Sequence, residues 1–212
     1  MKKLFYILCF SLTVSFTACN KEHLGHRYVD LGLPSGTKWA TCNVGSNLPE
    51  EYGDYFAWGE TMTKETYNLD TYNLCDGSFN SQTKYCKLDN KIVLELIDDA
   101  ANVNWGGNWR IPTKEELDEL HTQCIWKWEC INGINGYTIT GPNDNSIFMP
   151  AAGFCIGSDS LAIGTDGGYW SSSLESNEYD NAHSLYFNLK DVYSNYTGLR
   201  FFGQSIRPVL SK

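Results

Sequence analysis

The chain has 212 residues, 42% of them apolar and 14% aromatic, and a formal net charge of −9. That length supports one domain with a sizeable core. The acidic balance repels phosphate backbones and argues against nucleic acid as a partner.

The N-terminus reads first. Met1-Lys2-Lys3 is a basic start, Leu4 to Val14 is an apolar run of eleven residues, and Ser15-Phe16-Thr17-Ala18 leads into Cys19. This is the layout of a secretory signal, too short for a membrane span of about 20 residues. Small residues ending in Cys resemble a bacterial lipobox, in which the Cys becomes the lipidated first residue; Phe16 stands where Leu is usual. Residues 1–18 are therefore expected to be a signal peptide, Cys19 the lipidation site, and 19–27 a polar tether. A plain cut near Ala18, leaving Cys19 an ordinary thiol, is the alternative. Loss of Lys2 and Lys3 would take the charge from −9 to −11. A lipid would hold the domain on a membrane face without crossing it, and Asn20, rather than an Asp, after Cys19 points to the outer membrane.

From residue 28 the pattern suggests an α+β domain running to 212. Tyr28–Leu33 and Lys38–Val44 flank Pro34-Ser35-Gly36-Thr37, a turn sequence, and read as a β-hairpin. Residues 45–85 are rich in Gly, Asn, Tyr and Thr without a sustained period. They read as long ordered loops carrying aromatic plugs such as Tyr52, Tyr55, Phe56 and Trp58. A helix is expected from Asp89 or Asn90, with Ile92, Val93, Leu96 and Ile97 on one face. A second is better marked: Thr113 with Glu116 three residues on is a capping box, and Leu117, Leu120 and Cys124 share a stripe. Short strands follow at 125–130, 136–140, 146–149, 168–173, 184–189 and 204–210, with Asn132-Gly133 and Asn135-Gly136 as turn dipeptides.

Six cysteines lie beyond Cys19: Cys42, Cys75, Cys86, Cys124, Cys130 and Cys155. An even count in an exported domain is compatible with disulfides; buried free thiols are the alternative. There is no C-x-x-C, and His23, His26, His121 and His183 bracket no Cys pair, so neither a zinc site nor any other cofactor is expected. Glu115, Glu116, Asp118 and Glu119 read as a solvated helix face. Arg110 and Arg207, each near a Pro, are candidates to clamp carbonyls or a carboxylate.

Several stretches are similar to the Fibrobacter succinogenes major paralogous domain, a family of exported bacterial proteins. They are residues 29–40 (VDLGLPSGTKWA), 51–60 (EYGDYFAWGE), 104–113 (NWGGNWRIPT), 145–153 (NSIFMPAAG), 168–173 (GYWSSS) and 203–209 (GQSIRPV). These run in family order through nearly the whole mature chain. The resemblance implies a C-type-lectin-like fold in which the first hairpin and the last strand come together.

It does not imply a chemistry. Calcium-dependent sugar recognition in C-type lectins uses a Glu-Pro-Asn or Gln-Pro-Asp loop and a Trp-Asn-Asp. Here Gly141-Pro142-Asn143-Asp144 lacks the first ligand, and with Asn145 offers too few oxygens for calcium, so an Asx-rich turn is the simpler reading. The formylglycine-generating enzymes of the same broad fold use paired late cysteines, and no Cys follows Cys155. Ser35 sits on a hairpin turn, not in a G-x-S-x-G elbow. No enzyme activity is expected.

The region with a positive signal is 176–200, where twelve of twenty-five residues are Tyr, Asn, Ser or Gly. That composition resembles a binding-loop surface, in which Tyr supplies amphipathic area and Asn and Ser supply adaptable hydrogen bonds. Alternation would turn Leu185, Phe187 and Leu189 inward and Ser184, Tyr186 and Asn188 outward. The candidate ligand-binding residues are Tyr179, Asn181, Ser184, Tyr186, Asn188, Tyr193, Asn195 and Tyr196, with Trp58 beside them. The expectation is a surface-displayed binding module for a glycan or protein on another cell or host surface. The alternative is a structural cell-envelope or fimbrial accessory component. A receptor diversified by a retroelement and a formylglycine-generating type of enzyme carry less weight.

Overall fold

A computed structural model describes residues 21–210; the signal segment and Cys19 lie outside the described residues. The strands are β1 (Lys21–His23), β2 (His26–Asp30) and β3 (Lys38–Ala40), then, after a long irregular stretch, helix α1 (Ala100–Trp105) and β4 (Trp109–Arg110). Helix α2 (Lys114–Gln123) leads to β5 (Ile125–Ile131), β6 (Ile134–Thr140) and β7 (Ser146–Pro150). The chain closes with β8 (Phe154–Ile156), β9 (Asp159–Leu161), β10 (Asp166–Leu174), β11 (Asn181–Asn188), β12 (Val192–Leu199) and β13 (Val209–Leu210). All strand pairs are antiparallel, in sheets ordered β1-β2-β3-β13-β4, β5-β6-β7, β8-β9 and β10-β11-β12. With two short α-helices among the described residues, this is a sheet-rich α+β domain.

The first hairpin and the chain end do meet. Val209 pairs with Trp39 on one side and Arg110 on the other, so β13 is the fourth of five strands and is paired on both edges. The contact extends upstream through Ala40 N–H to Pro208 O (2.9 Å) and Val44 N–H to Ile206 O (3.0 Å). Residues 21–27, expected to belong to a polar tether, instead form β1, its turn and the start of β2. β1 and β2 close on a two-residue turn, Leu24-Gly25, with both φ positive (51° and 83°), the geometry that matches strand twist. His26 then stacks on Trp105 with ring centroids 3.8 Å apart, and Trp109 Nε1 donates to His23 O (3.1 Å).

Helix α2 starts where its capping box predicts. Thr113 Oγ1 accepts from Glu116 N–H (3.3 Å) while Glu116 accepts from Thr113 N–H (2.9 Å), and Leu117 and Leu120 are buried. The acidic face is not simply solvated, however. Glu116 receives both arms of Arg110 (2.7 Å each) and Thr37 Oγ1 (2.7 Å). Glu119 receives the N–H (2.9 Å) and Oγ (2.5 Å) of Ser35. The two carboxylates thus pin the β2–β3 turn to the helix.

The helix expected from Asp89 or Asn90 does not form. The Asp89 carboxylate accepts from the N–H groups of Tyr85, Cys86 and Lys91, turning the chain instead of capping it. The next residues lie extended beside β10, with Leu94 N–H to Ser172 O (2.9 Å) and Leu174 N–H to Ile92 O (2.8 Å). Only Leu94 goes inward; Ile92, Val93, Leu96 and Ile97 are exposed. The helix is displaced to α1, which Asp99 caps.

The β10–β12 sheet is covered on both faces. Leu185, Phe187 and Tyr169 face a core with Trp39, Leu117, Leu120, Ile139 and Met149. Trp170, Leu174 and Ala182 face the other way, into a core with Phe56, Trp58, Tyr85 and Ile206 from the long loops. These plugs anchor irregular chain by hydrogen bonds: Trp58 Nε1 to Ser171 O (2.8 Å) and Trp170 Nε1 to Phe56 O (2.8 Å).

Candidate functional site

The region singled out by composition becomes β11, β12 and their flanks. β11 and β12 pair as Ser184↔Tyr196 and then Tyr186↔Tyr193, so β12 carries one extra residue between these pairs. That bulge, at Ser194-Asn195, determines the site. Strict alternation would place Tyr193 and Tyr196, three residues apart, on opposite faces; the extra residue brings them to the same one. Both rings stack on Tyr186, at centroid distances of 6.3 Å (Tyr193) and 4.9 Å (Tyr196), with planes within 30°. Tyr186 is the half-buried middle ring, and its hydroxyl donates to Asp166 Oδ2 (2.5 Å) across the β10 edge. Burial and then that carboxylate push its pKa up to about 12, so it remains a neutral donor. The outer rings are 44% (Tyr193) and 47% (Tyr196) exposed. Neither outer hydroxyl has a hydrogen-bond partner among the described residues, and Asn195 is exposed at the bulge.

The other expected site residues are elsewhere or otherwise engaged. Tyr179 packs against the loop core, and its carbonyl receives Arg200 (3.0 Å). Asn181 faces the opposite side of the sheet by alternation and donates to Glu178 (2.7 Å). Asn188 is a turn former: its Oδ1 accepts from Lys190 N–H (2.8 Å) and Asp191 N–H (3.1 Å). Ser184 does share the tyrosine face but is fully buried, since Trp170 on β10 and Tyr196 on β12 close over its row. Leu189, expected inward, lies past the end of β11 and is 62% exposed. Trp58 is 1% exposed, roofed by the Arg200 guanidinium 4.8 Å from its ring, and cannot touch a ligand.

Three residues that composition did not single out shape the platform. Asp166 holds Tyr186. Gln204 reaches over the sheet between two glycines: a Cβ at Gly168 would come 3.2 Å from its Oε1, and one at Gly198 2.7 Å from its Nε2. Glycines inside the strand pattern were the available signal of that close approach. Arg200 ends the region, buried, with donors on Tyr72 Oη (2.8 Å) and the carbonyls of Tyr85 (3.1 Å), Tyr179 (3.0 Å) and Lys84 (2.9 Å). Arg207 plays a similar part near the first hairpin, donating to Asn43 Oδ1 (2.8 Å) and to the carbonyls of Ala40 and Thr41.

A separate cleft of about 360 Å³ lies between the 53–67 loop and the β8–β9 hairpin, lined by Tyr55, Lys64, Tyr67, Cys155 and Ser160 among others. Its lysine is engaged, because Lys64 Nζ pairs with Glu60 (2.6 Å) and donates to Thr71 O (2.9 Å), and Asp54 and Glu65 also line the cleft. Burial pushes the Cys155 thiol pKa up, against a contact with Ser160 Oγ (3.4 Å) that lowers it, which disfavours the thiolate a nucleophile needs. All six cysteines of the described residues are unpaired. The Asn143–Asn145 segment is a turn stapled to β2, with both Asn amides donating to Asp30 O (2.9 and 2.8 Å). His121 Nδ1 lies 3.1 Å from Ser194 Oγ under the sheet, and His183 sits 3.4 Å from Glu175 with burial lowering its pKa. Compared with protein-family models, with curated proteins and with solved structures, the chain matches none.

Proposed function

We propose that this chain is a non-enzymatic binding module of an exported bacterial lipoprotein, anchored through Cys19 in the outer membrane and displayed at the cell surface. Its fold is read as C-type-lectin-like, on the resemblance to the Fibrobacter succinogenes major paralogous domain and on the meeting of the first hairpin with β13. The ligand is a glycan or a protein on another cell or host surface. One observation carries the reading: Tyr186, Tyr193 and Tyr196 form a stacked slab on a rigid sheet with its two outer rings nearly half exposed. Such a slab offers amphipathic area at low entropic cost. The test is binding of the full-length protein to glycan and host-surface protein arrays, with Tyr193→Ala/Tyr196→Ala in parallel. Selective loss in the double variant supports the reading. A protein that binds equally well with and without those rings refutes the site, and Cys19→Ser protein that stays membrane-bound refutes the anchor.

A second reading, a structural envelope component, is favoured by a different surface. Leu88 (92%), Ile97 (74%), Met62 (73%), Ile92 (56%) and Leu96 (56%) are all exposed, and of these Met62 and Ile97 line one cleft. Adjacent exposed aliphatic side chains such as that pair mark packing surfaces. Loss of assembly into the envelope on Ile97→Glu, with array binding unchanged, would support this second reading.

A further inference from the structure

We infer that the tyrosine slab receives a neutral sugar ring, which deepens the binding reading above and rests on it. Three observations point the same way. The first is size. A tyrosine side chain carries about 150–250 Å² of surface, so two outer rings each nearly half exposed offer roughly 200 Å² in all. A stable protein interface needs about 800 Å² per partner. The slab is small for a protein and right for one or two pyranose rings, whose C–H faces stack on aromatic faces.

The second is the polar floor. Ser184 Oγ and Gln204 Oε1 are both buried with no hydrogen-bond partner among the described residues, in residues 0% and 5% exposed. The strand register sets Ser184 in the row of Tyr196, two residues along β11 from Tyr186, and Gln204 spans that row from Gly168 to Gly198. One group can donate and the other can only accept. A hydroxyl, reached directly on a shift of the Tyr196 ring or through one water, accepts from Ser184 and donates to Gln204. Aliphatic ligands leave both unmet, at the cost of buried unsatisfied groups.

The third is charge. Asp166 lies at the slab, the β11–β12 turn carries Lys190 beside Asp191 and so adds no net charge, and the whole chain carries −9. Anionic sugars are repelled, and neutral ones are not. Tyr193 Oη and the exposed Asn195 amide remain to bond ring hydroxyls at the rim, while Tyr196 contributes its ring face.

The test is calorimetric titration of the full-length protein, held in a detergent without a sugar headgroup, with neutral hexasaccharides of glucose, mannose, xylose and N-acetylglucosamine. Oligogalacturonate serves as the anionic control. At least one neutral probe should bind, about tenfold weaker to Tyr196→Ala and weaker to Ser184→Ala, and nearly unchanged to Tyr196→Phe, which keeps the ring and guards against misfolding. Oligogalacturonate binding as well as the neutral probes would overturn the inference. So would silence from every neutral probe while a protein ligand still loses affinity in Tyr196→Ala, and in that case the broader binding reading survives. Sugar binding that ignores Tyr196→Ala would overturn both.

Discussion

Arg200 offers the most demanding test of how the platform is held. Its side chain is 1% exposed, yet no carboxylate among the described residues pairs with it; the guanidinium is met by three carbonyls, the Tyr72 hydroxyl and the faces of Trp58 (4.8 Å) and Tyr72 (5.4 Å). The carbonyls belong to Lys84, Tyr85 and Tyr179, so one side chain ties the long loop to the segment entering β11 at the end of β12. In Arg200→Met the stem packing is largely kept, but four acceptors lose their donor. Hydrogen bonds to charged groups contribute about 1.5–3 kcal/mol each and a desolvated cation–π contact about 2 kcal/mol. Relief of the guanidinium's own desolvation and entry of water offset much of that sum, leaving an expected loss of about 3–5 kcal/mol. Against a typical total of about 5–15 kcal/mol this is a large fraction. Urea unfolding at pH 7, followed by tryptophan fluorescence, measures it. Arg200→Lys should recover less than half, because one ammonium cannot span acceptors arranged for a planar fork. A loss below about 1 kcal/mol in Arg200→Met would refute the claim that this residue organises the loop core.

Three further outcomes follow from the packing. Tyr196→Ala should cost at most about 1 kcal/mol in thermal unfolding, while Tyr186→Ala, which loses two stacked neighbours and the Asp166 bond, should cost about 1–2 kcal/mol. Burial alone would raise the Glu116 pKa, but Arg110, the Thr113 N–H and Thr37 outweigh it and hold the carboxyl below its usual 4.5; its stabilisation is therefore present above pH 4.5 and lost as pH falls through the lowered value. Glu116→Gln should accordingly be destabilised at pH 7 and approach the wild type in acid, as read by urea unfolding across pH 3–7. Deleting 204–212 removes a strand paired on both sides, and circular dichroism should then show no cooperative unfolding.

Local signals that act within a few residues were legible in the sequence. The Thr113–Glu116 box, the Pro34–Thr37 turn and Asn132-Gly133 (φ 51° and 85°) all stand where the sequence places them. The 89–97 segment misleads because its aliphatic spacing mimics a helix, whereas Asp89 has three backbone N–H groups to accept and β10 offers a free edge. The site was legible only in outline. Composition marks 176–200, but alternation cannot foresee a bulge, and it is the bulge at Ser194-Asn195 that joins Tyr193 to Tyr196 on one face. Asp166 and Gln204 reach the site from other segments of the chain, so no local pattern names them. Arg200 reads as an ordinary terminal charge until the loop carbonyls close around it.

The central claim, that recognition occurs on the exposed tyrosine face, meets its most direct test in the affinity of the Tyr193→Ala/Tyr196→Ala protein for whichever array ligand the wild type binds, measured at equal thermal stability. The platform account predicts a loss of at least about a hundredfold, two anchor residues together. Affinity within about twofold of the wild type would contradict it and leave the sheet face as structural surface.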